Sequence, residues 1–598
     1  MRAVHLGFLL PISFLLYPAS NKSPTARFTL IDLFWCIASA FGCIYIGFLE
    51  YDRLVSRAIY VDPLNATDVI TAVLLVVCVF EATRRTVGLP LFFVAAVALI
   101  YALLGNRIPG TFGHTGYSFE WIMEHLSLTT EGIFGIPVGA SATFVFLFVL
   151  FGSFLKCSGA GQFFIDLAFA VAGRTRGGPA KMAVLSSALM GTVSGTAVGN
   201  VVTTGTYTIP LMKRVGYPPY FAGAVESAAS TGGQIMPPIM GAAAFILAEF
   251  LGVPYLKVAA AAAIPAILYF LSVGFMVDFE AQKRGLKGLP ASELPSVAKV
   301  LKKSGHLSLP LLVIVVMLVR GYTPYMAGFA SIISVVAASL FRAHTRLNFR
   351  SVLTALNTGA QEAIVIAVTC AVAGIVIGCA SLTGIAVKFS ALILNLAGGK
   401  LYLALPLIMI ASLLLGMGLP TTAAYVMVAA LSVPALVEMG VIPLAAHLFA
   451  FYFACISAIT PPVAIAAYAG AGLAGASAMQ TGWEAVKLAA AAFIVPYMFV
   501  YGPELLLIGG WGKIIIASVT ALVGCYALAA AITGWFKGRT SLWERIVLIS
   551  AALILIAPIS YFSFLGIGLL GLVYFSQTAF KGHAQLYLKN RKENKENL

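Results

Sequence analysis

The sequence predicts an all-α polytopic membrane protein organised as an inverted repeat, with two re-entrant hairpins and two broken helices. Three observations carry that prediction. First, the 598-residue chain is 60% hydrophobic and only 10% charged, with a mean hydropathy of +0.98. This excludes a soluble globular protein and leaves room for roughly 14 to 18 membrane segments at about 20 apolar residues each. Second, Ile235-Met236-Pro237-Pro238 and Ile459-Thr460-Pro461-Pro462 lie 224 residues apart (461 − 237). The same offset maps Pro210 onto Pro434 and Gly216 onto Gly440, and sets Ser194-Gly195-Thr196 over Gly418-Leu419-Pro420. Third, the basic residues are grouped so that the two copies enter the membrane from opposite sides.

Interrupted apolar segments in matching positions of two halves point to a secondary transporter's binding site. A broken helix exposes N–H and C=O groups, which hydrocarbon tolerates only where protein or a water-filled cavity satisfies them. The net charge of +15 fits Lys and Arg in cytoplasmic loops. No aromatic-basic patch suggests nucleic acid as a partner. The eight cysteines form no C-x-x-C pair and read as packing residues.

In chain order, residues 6–17 form a short membrane or interfacial segment interrupted by Pro11. Apolar runs follow at residues 30–49, 68–80 and 90–104. Lys22, Arg27, Arg84 and Arg85 assign their ends to the cytoplasm, and the polar stretch 105–135 becomes an external linker. Residues 1–135 thus form a small N-terminal unit. The larger unit, 136–503, contains repeats at about 138–277 and 360–500. Residues 182–212 are bracketed by Lys181 and by Lys213-Arg214 and broken in the middle, which reads as a hairpin entering from the cytoplasm. The basic loop 278–306 is cytoplasmic, and a pair of crossings leads to Arg342, Arg346 and Arg350. The second hairpin, residues 401–437, lacks a basic bracket and is expected to enter from outside. Three apolar runs, at residues 514–535, 546–558 and 559–575, fill the segment 504–598, with a basic tail placing the C-terminus in the cytoplasm.

The candidate ligand groups are small and oxygen-rich. The first hairpin offers Ser194, Gly195, Thr196 and Asn200, and the first break offers Ser230, Thr231, Gly232 and Gln234 before Pro237 and Pro238. The second hairpin offers Gly416, Gly418, Pro420, Thr421 and Thr422, and the second break Ser457, Thr460, Pro461 and Pro462. Hydroxyl and carbonyl oxygens suit a hard cation such as Na⁺, while helix N-termini at the breaks suit an anion. Small residues also ease helix packing, but four such motifs in duplicate favour a site. Glu226, Glu249 and Glu362 are isolated acids in apolar surroundings, and Glu226 is the candidate for proton coupling. His447 reads as a packed side chain. No Walker A pattern, metal-site spacing or catalytic triad is present, so neither ATP hydrolysis nor an enzyme reading has a site.

The stretch Gly233-Gln234-Ile235-Met236-Pro237-Pro238-Ile239-Met240-Gly241-Ala242-Ala243-Ala244-Phe245 resembles the fused membrane subunit of tripartite ATP-independent periplasmic (TRAP) transporters, in the TAXI branch. So do Ser194-Gly195-Thr196, Ile209-Pro210-Leu211-Met212-Lys213-Arg214-Val215-Gly216-Tyr217 and Gly416-Met417-Gly418-Leu419-Pro420-Thr421-Thr422-Ala423-Ala424-Tyr425. The likeness spans residues 139–503 and, more loosely, the N-terminal unit. It implies an elevator mechanism, with N-terminal scaffold helices corresponding to a fused small subunit. It also implies a TAXI-type extracytoplasmic solute-binding protein as partner, an organic-acid substrate and a monomeric permease in the bacterial or archaeal inner membrane. Na⁺ is the favoured coupling ion, with H⁺ open because TAXI-type members can use protons. Met236 and Ile239 flank the prolines where the common branch has an Ile-Pro-Pro-Ser type motif, which weakens transfer of the sialic-acid or dicarboxylate specificity. Fused relatives usually carry another apolar segment ahead of this chain's start, so the resemblance leads to the expectation that Met1 is a late start. A self-sufficient elevator symporter and an ion channel are the alternatives.

Overall fold

Apolar composition dictates helices, because a helix satisfies its own backbone groups in hydrocarbon. A computed structural model describes residues 1–19, 28–557 and 562–596, with side chains up to residue 579. Lys22 and Arg27, the boundary at residues 558–559 and the side chains of the basic tail lie outside these. The described residues are helical, with one isolated β-bridge between Trp535 and Arg539 and no strand. Among the described residues ten helices are long and apolar enough to cross a membrane, and nine shorter apolar helices accompany them. The shortening has a visible cause. Gly and Pro end helices at Gly195, Gly252 and Gly475, which take positive φ.

Several expected boundaries move. Residues 105–135 are more than a polar linker. They contain the helix Phe119–Ser127, whose Ser118 cap accepts from Trp121 N–H and which buries Ile122 and Leu126. The expected run at residues 360–380 is the middle of a longer helix, Phe349–Thr383, started by Asn348 accepting from Ser351 N–H. Pro11 does not interrupt the first helix, Arg2–Leu16. The pair after the basic loop consists of Leu309–Val319 and Pro324–Ser339.

The repeat is built into the backbone. Each half has two helices joined by a short turn, then a helix, a break and a ten-residue helix. The first half runs Gly178–Ser194, Ala197–Arg214, Pro219–Gly232 and Ala242–Leu251. The second runs Leu401–Gly416, Thr421–Glu438, Pro443–Ile456 and Ile465–Ala474. The second and third helices of each half have identical lengths, 18 and 14 residues. They start 224 positions apart (421 − 197 and 443 − 219). Positive-φ Gly216 and Gly440, and positive-φ Met240 and Ala464, obey the same offset. The Pro237-Pro238 and Pro461-Pro462 bonds are both cis. The offset fails at the tips: the turn glycines with positive φ are Gly195 and Gly418, 223 positions apart (418 − 195). The second turn is longer, because its first arm ends at Gly416 and its second arm does not start until Thr421.

The halves interlock. Pro219–Gly232 and Ala197–Arg214 both pack on Ile465–Ala474, while Pro443–Ile456 and Thr421–Glu438 both pack on Ala242–Leu251. Exchanging the halves exchanges these contacts, as a two-fold relation requires. Small residues permit the approach. A Cβ on Gly223 would come within 2.8 Å of Gly470 O, and Ser227 Oγ donates to Ala466 O at 3.0 Å across the same seam. The outer ends of the first helix pair meet the basic loop on one face. Lys181 and Arg176 pair with Asp278, and Arg214 pairs with Glu293. The N-terminal helices Arg2–Leu16, Ala66–Thr86 and Leu89–Leu104 pack against Phe349–Thr383, and the C-terminal helix Trp511–Thr533 packs against Tyr255–Arg284.

Candidate functional site

A cavity of about 370 Å³ lies where the two halves meet. Four helix N-termini reach it. Thr196, Ala197 and Val198 open one helix, and Thr421 and Thr422 open its counterpart. Ala242 and Ile465 begin the two helices that follow the breaks. The first four N–H groups of a helix lack intrahelical partners. The aligned peptide dipoles place roughly half a positive charge there, worth about 0.3–1 kcal/mol to a nearby anion per terminus. Ser194, which also lines the cavity, has a buried Oγ with no hydrogen-bond partner.

The rest of the wall is mostly apolar, with Thr369 and Glu362 as its polar members. It comes from Val145, Phe148 and Val149 on one side, Val365 and Ile366 on the long helix, and Phe245. Among the described lining residues the one charged side chain is Glu362, which pairs with Lys156 at 2.8 Å. No Lys, Arg or His lines the cavity among the described residues.

The predicted residues divide into three groups. Ser194, Gly195, Thr196, Gln234, Pro420, Thr421 and Thr422 line the cavity together. Thr421 Oγ1 donates to Gln234 Oε1 at 2.9 Å, tying the second tip to the first break. Pro237, Pro238, Pro461 and Pro462 shape the breaks without lining it. Their backbone is satisfied locally: Tyr255 Oη donates to Pro238 O at 2.9 Å and to Ile239 O at 2.5 Å, and Tyr468 Oη donates to Pro462 O. Gly241 N–H donates to Gln234 O and Ala466 N–H to Ala458 O, closing each break. In the second break, Ser457 donates to Gly416 O at 3.1 Å and Thr460 to Ile456 O at 2.9 Å. Each of these hydroxyls gives its proton to a carbonyl and keeps its acceptor lone pairs, and neither Ser457 nor Thr460 belongs to the cavity lining. Gly416 and Gly418 belong to the same tip but not to the lining.

The third group surrounds Glu226, which is fully buried on Pro219–Gly232. Its Oε1 accepts from Ser187 Oγ at 2.7 Å and Ser230 Oγ at 3.1 Å, and also from Thr204 Oγ1. Its Oε2 accepts from Thr208 Oγ1. No ion pair neutralises it among the described residues. Ser187 belongs to the first arm of the helix pair, and Thr204 and Thr208 to the second, so the carboxyl ties both arms to the broken helix. Nearby, Asn200 Oδ1 and Thr231 Oγ1 are buried without partners, while Asn200 Nδ2 donates to Ser187 O at 3.0 Å. Gly232 meets the Tyr269 ring, which a Cβ there would strike at 2.2 Å. Of the other isolated acids, Glu249 is exposed. His447 is packed, its Nδ1 bonded to Tyr425 Oη at 2.8 Å.

Sequence reasoning missed the apolar wall. Val365, Ile366, Phe148 and Phe245 look like any other membrane-segment residues, and nothing in their spacing marks them. Ser187, Thr204 and Thr208 around Glu226 were equally silent as a group, although Glu226 itself was legible.

The family model for the DctM component of the tripartite ATP-independent periplasmic transporter matches residues 74–514. The chain belongs to this family. It is thus a multi-pass membrane permease of the TRAP type. The permease is 26% identical over 321 residues to a putative TRAP transporter large permease protein of Haemophilus influenzae, covering 53% of this chain and 74% of that protein. It is 31% identical over 147 residues to the C4-dicarboxylate TRAP transporter large permease protein DctM of Pseudomonas aeruginosa, covering 25% of this chain and 34% of the relative. It is 30% identical over 195 residues to the uncharacterized protein y4mL of Sinorhizobium fredii, covering 32% of this chain. That match spans 46% of the length of y4mL, less than half of it.

Proposed function

We propose that the permease is a secondary active importer that takes an organic acid from an extracytoplasmic solute-binding protein of TAXI type. Its site is the cavity between the repeats, in the inner membrane of the cell. The observation that carries this reading is the meeting of four helix N-termini in one cavity whose lining, among the described residues, has no basic side chain. Such a site favours a carboxylate through backbone N–H groups and dipoles. The two helix pairs are read as re-entrant, and the interlocked halves as the moving body of an elevator. The N-terminal helices, seated on Phe349–Thr383, are read as a scaffold equivalent to a fused small subunit.

For coupling, Na⁺ is the first reading. Ser194 Oγ, Asn200 Oδ1 and Thr231 Oγ1 are buried oxygens without partners, each an orphan costing about 1–3 kcal/mol. They are hard ligands of the type Na⁺ takes, and the ion would supply positive charge close to the substrate anion. Glu226 supports a second reading, H⁺, since hydroxyls can either donate to a carboxylate or accept from a carboxylic acid.

Uptake into proteoliposomes tests the function. Transport should need both an ion gradient and the binding protein, with near-background uptake by the permease alone at micromolar substrate. Full saturable uptake without the binding protein would replace this reading with a self-sufficient symporter. Down-gradient flux without coupling would replace it with a channel.

A further inference from the structure

We infer that the cavity selects a monocarboxylate with an apolar body, branched or aromatic, over dicarboxylates and polyhydroxylated acids. The inference rests on the anion-binding reading above and deepens it to a substrate class.

The cavity has two chemically different surfaces. The polar one gathers Ser194, Thr196, Gln234, Thr421 and Thr422 at the helix N-termini. Ser194 is about nine-tenths buried, and its Oγ has no partner in the protein. Gln234 spends its carbonyl oxygen on Thr421, which leaves two amide N–H donors for another acceptor. One carboxylate is well served here. The other surface offers Val145, Phe148, Val149, Val365, Ile366 and Phe245.

A second carboxylate on the same ligand would meet that apolar surface or the acidic Glu362. Burial of an unpaired charge against alkyl groups is strongly unfavourable, and a carboxylate beside Glu362 is repelled. Lys156 is engaged with Glu362 at 2.8 Å, so it offers a second carboxylate a shared cation and not a free one. Sugar-acid hydroxyls would lose water without gaining partners on the apolar wall. An alkyl or aryl group instead gains by leaving water. The volume of about 370 Å³ falls at the small end of ligand sites, which suits a compact acid.

The test uses the purified full chain in lipid nanodiscs, at fixed pH, Na⁺ and ionic strength. Thermal unfolding is followed against rising concentrations of 4-methyl-2-oxopentanoate, phenylpyruvate, succinate and gluconate. The half-saturating concentration should be at least about tenfold lower for the first two than for succinate or gluconate, a difference of roughly one decade in affinity. Equal or tighter binding of succinate or gluconate overturns the inference and leaves the anion-binding reading standing. If none of the four shifts the unfolding curve, the anion-binding reading fails and this inference with it. Val149→Lys places a cation on the apolar wall and should reverse the order in favour of succinate. Should that variant fail to fold, Val149→Thr keeps the volume, and it should weaken the two apolar acids severalfold while leaving succinate unchanged. An unchanged order in Val149→Lys, or unchanged binding of the two apolar acids in Val149→Thr, also overturns the inference.

Discussion

Thr421 Oγ1 donates to Gln234 Oε1 at 2.9 Å, so the tip of the second helix pair is bonded to the break of the first half. Both residues line the cavity, and the bond fixes which end of the Gln234 amide faces a ligand. Replacing Thr421 with Val keeps the shape and removes the donor. The loss of one such bond is worth about 0.5–1.5 kcal/mol, so half-saturation for substrate should rise about three- to tenfold in uptake assays with binding protein present. Unchanged half-saturation would show that the bond does not orient Gln234.

Gly191 and Gly233 cross with their backbones in contact. A Cβ on Gly191 would lie 2.2 Å from Gly233 Cα, and backbone cannot swing aside as a side chain can. Gly191→Ala should destabilise the permease by about 1–3 kcal/mol and lower its unfolding temperature. Gly274, with nothing within 4 Å of its Cβ position, is the control, and Gly274→Ala should be neutral or mildly stabilising.

Ion coupling separates at two residues. Thr231→Val removes a buried oxygen that has no partner, so it should leave stability intact or improve it. Under Na⁺ coupling it should raise the Na⁺ concentration for half-maximal uptake about tenfold. Glu226→Gln keeps the size of the side chain within its four hydroxyls but cannot ionise. If uptake ignores Na⁺, follows an imposed pH gradient and disappears in Glu226→Gln, the ion is H⁺ and Glu226 carries it.

Topology is open to labelling. In a background without the native cysteines, cysteines placed next to Lys181 and next to Lys213 should both react only from the cytoplasm. Cysteines next to Lys400 and Glu438 should react only from outside. Opposite-face labelling of the two ends of either helix pair would rule out re-entrance.

His125, on the short helix Phe119–Ser127, accepts from Tyr60 Oη at 2.6 Å through Nδ1 and donates to Gly378 O at 3.0 Å through Nε2. Both bonds fit the neutral ring, and burial holds its pKa below the ordinary 6.5. A histidine depressed on folding contributes stability that is full above its unfolded pKa and is lost as pH falls through 6.5 and towards the folded value. Unfolding temperature should therefore drop between pH 7 and pH 5, and His125→Gln should flatten that slope. An equally steep slope in the variant would place the titrating group elsewhere.

The sequence by itself determined the membrane class, because composition alone forces backbone self-satisfaction in hydrocarbon. It also determined the repeat and its breaks. Pro, Gly and Thr act through local backbone geometry, so the 224-residue offset of Pro237 and Pro461 reappears as equal helix lengths and paired positive φ at Met240 and Ala464. The tips were legible as residues but not in register, since one extra turn segment after Gly416 costs little in a loop. Only the tertiary structure decided which of these residues share a cavity. Thr421 reaches Gln234 across 187 positions of chain (421 − 234), while Ser457 donates to the carbonyl of Gly416 and Thr460 to that of Ile456. It also decided the company of Glu226 and the apolar wall of Val365 and Phe245. Such groupings depend on how helices distant in sequence cross, and side chains that look alike along the chain differ only once that crossing is fixed.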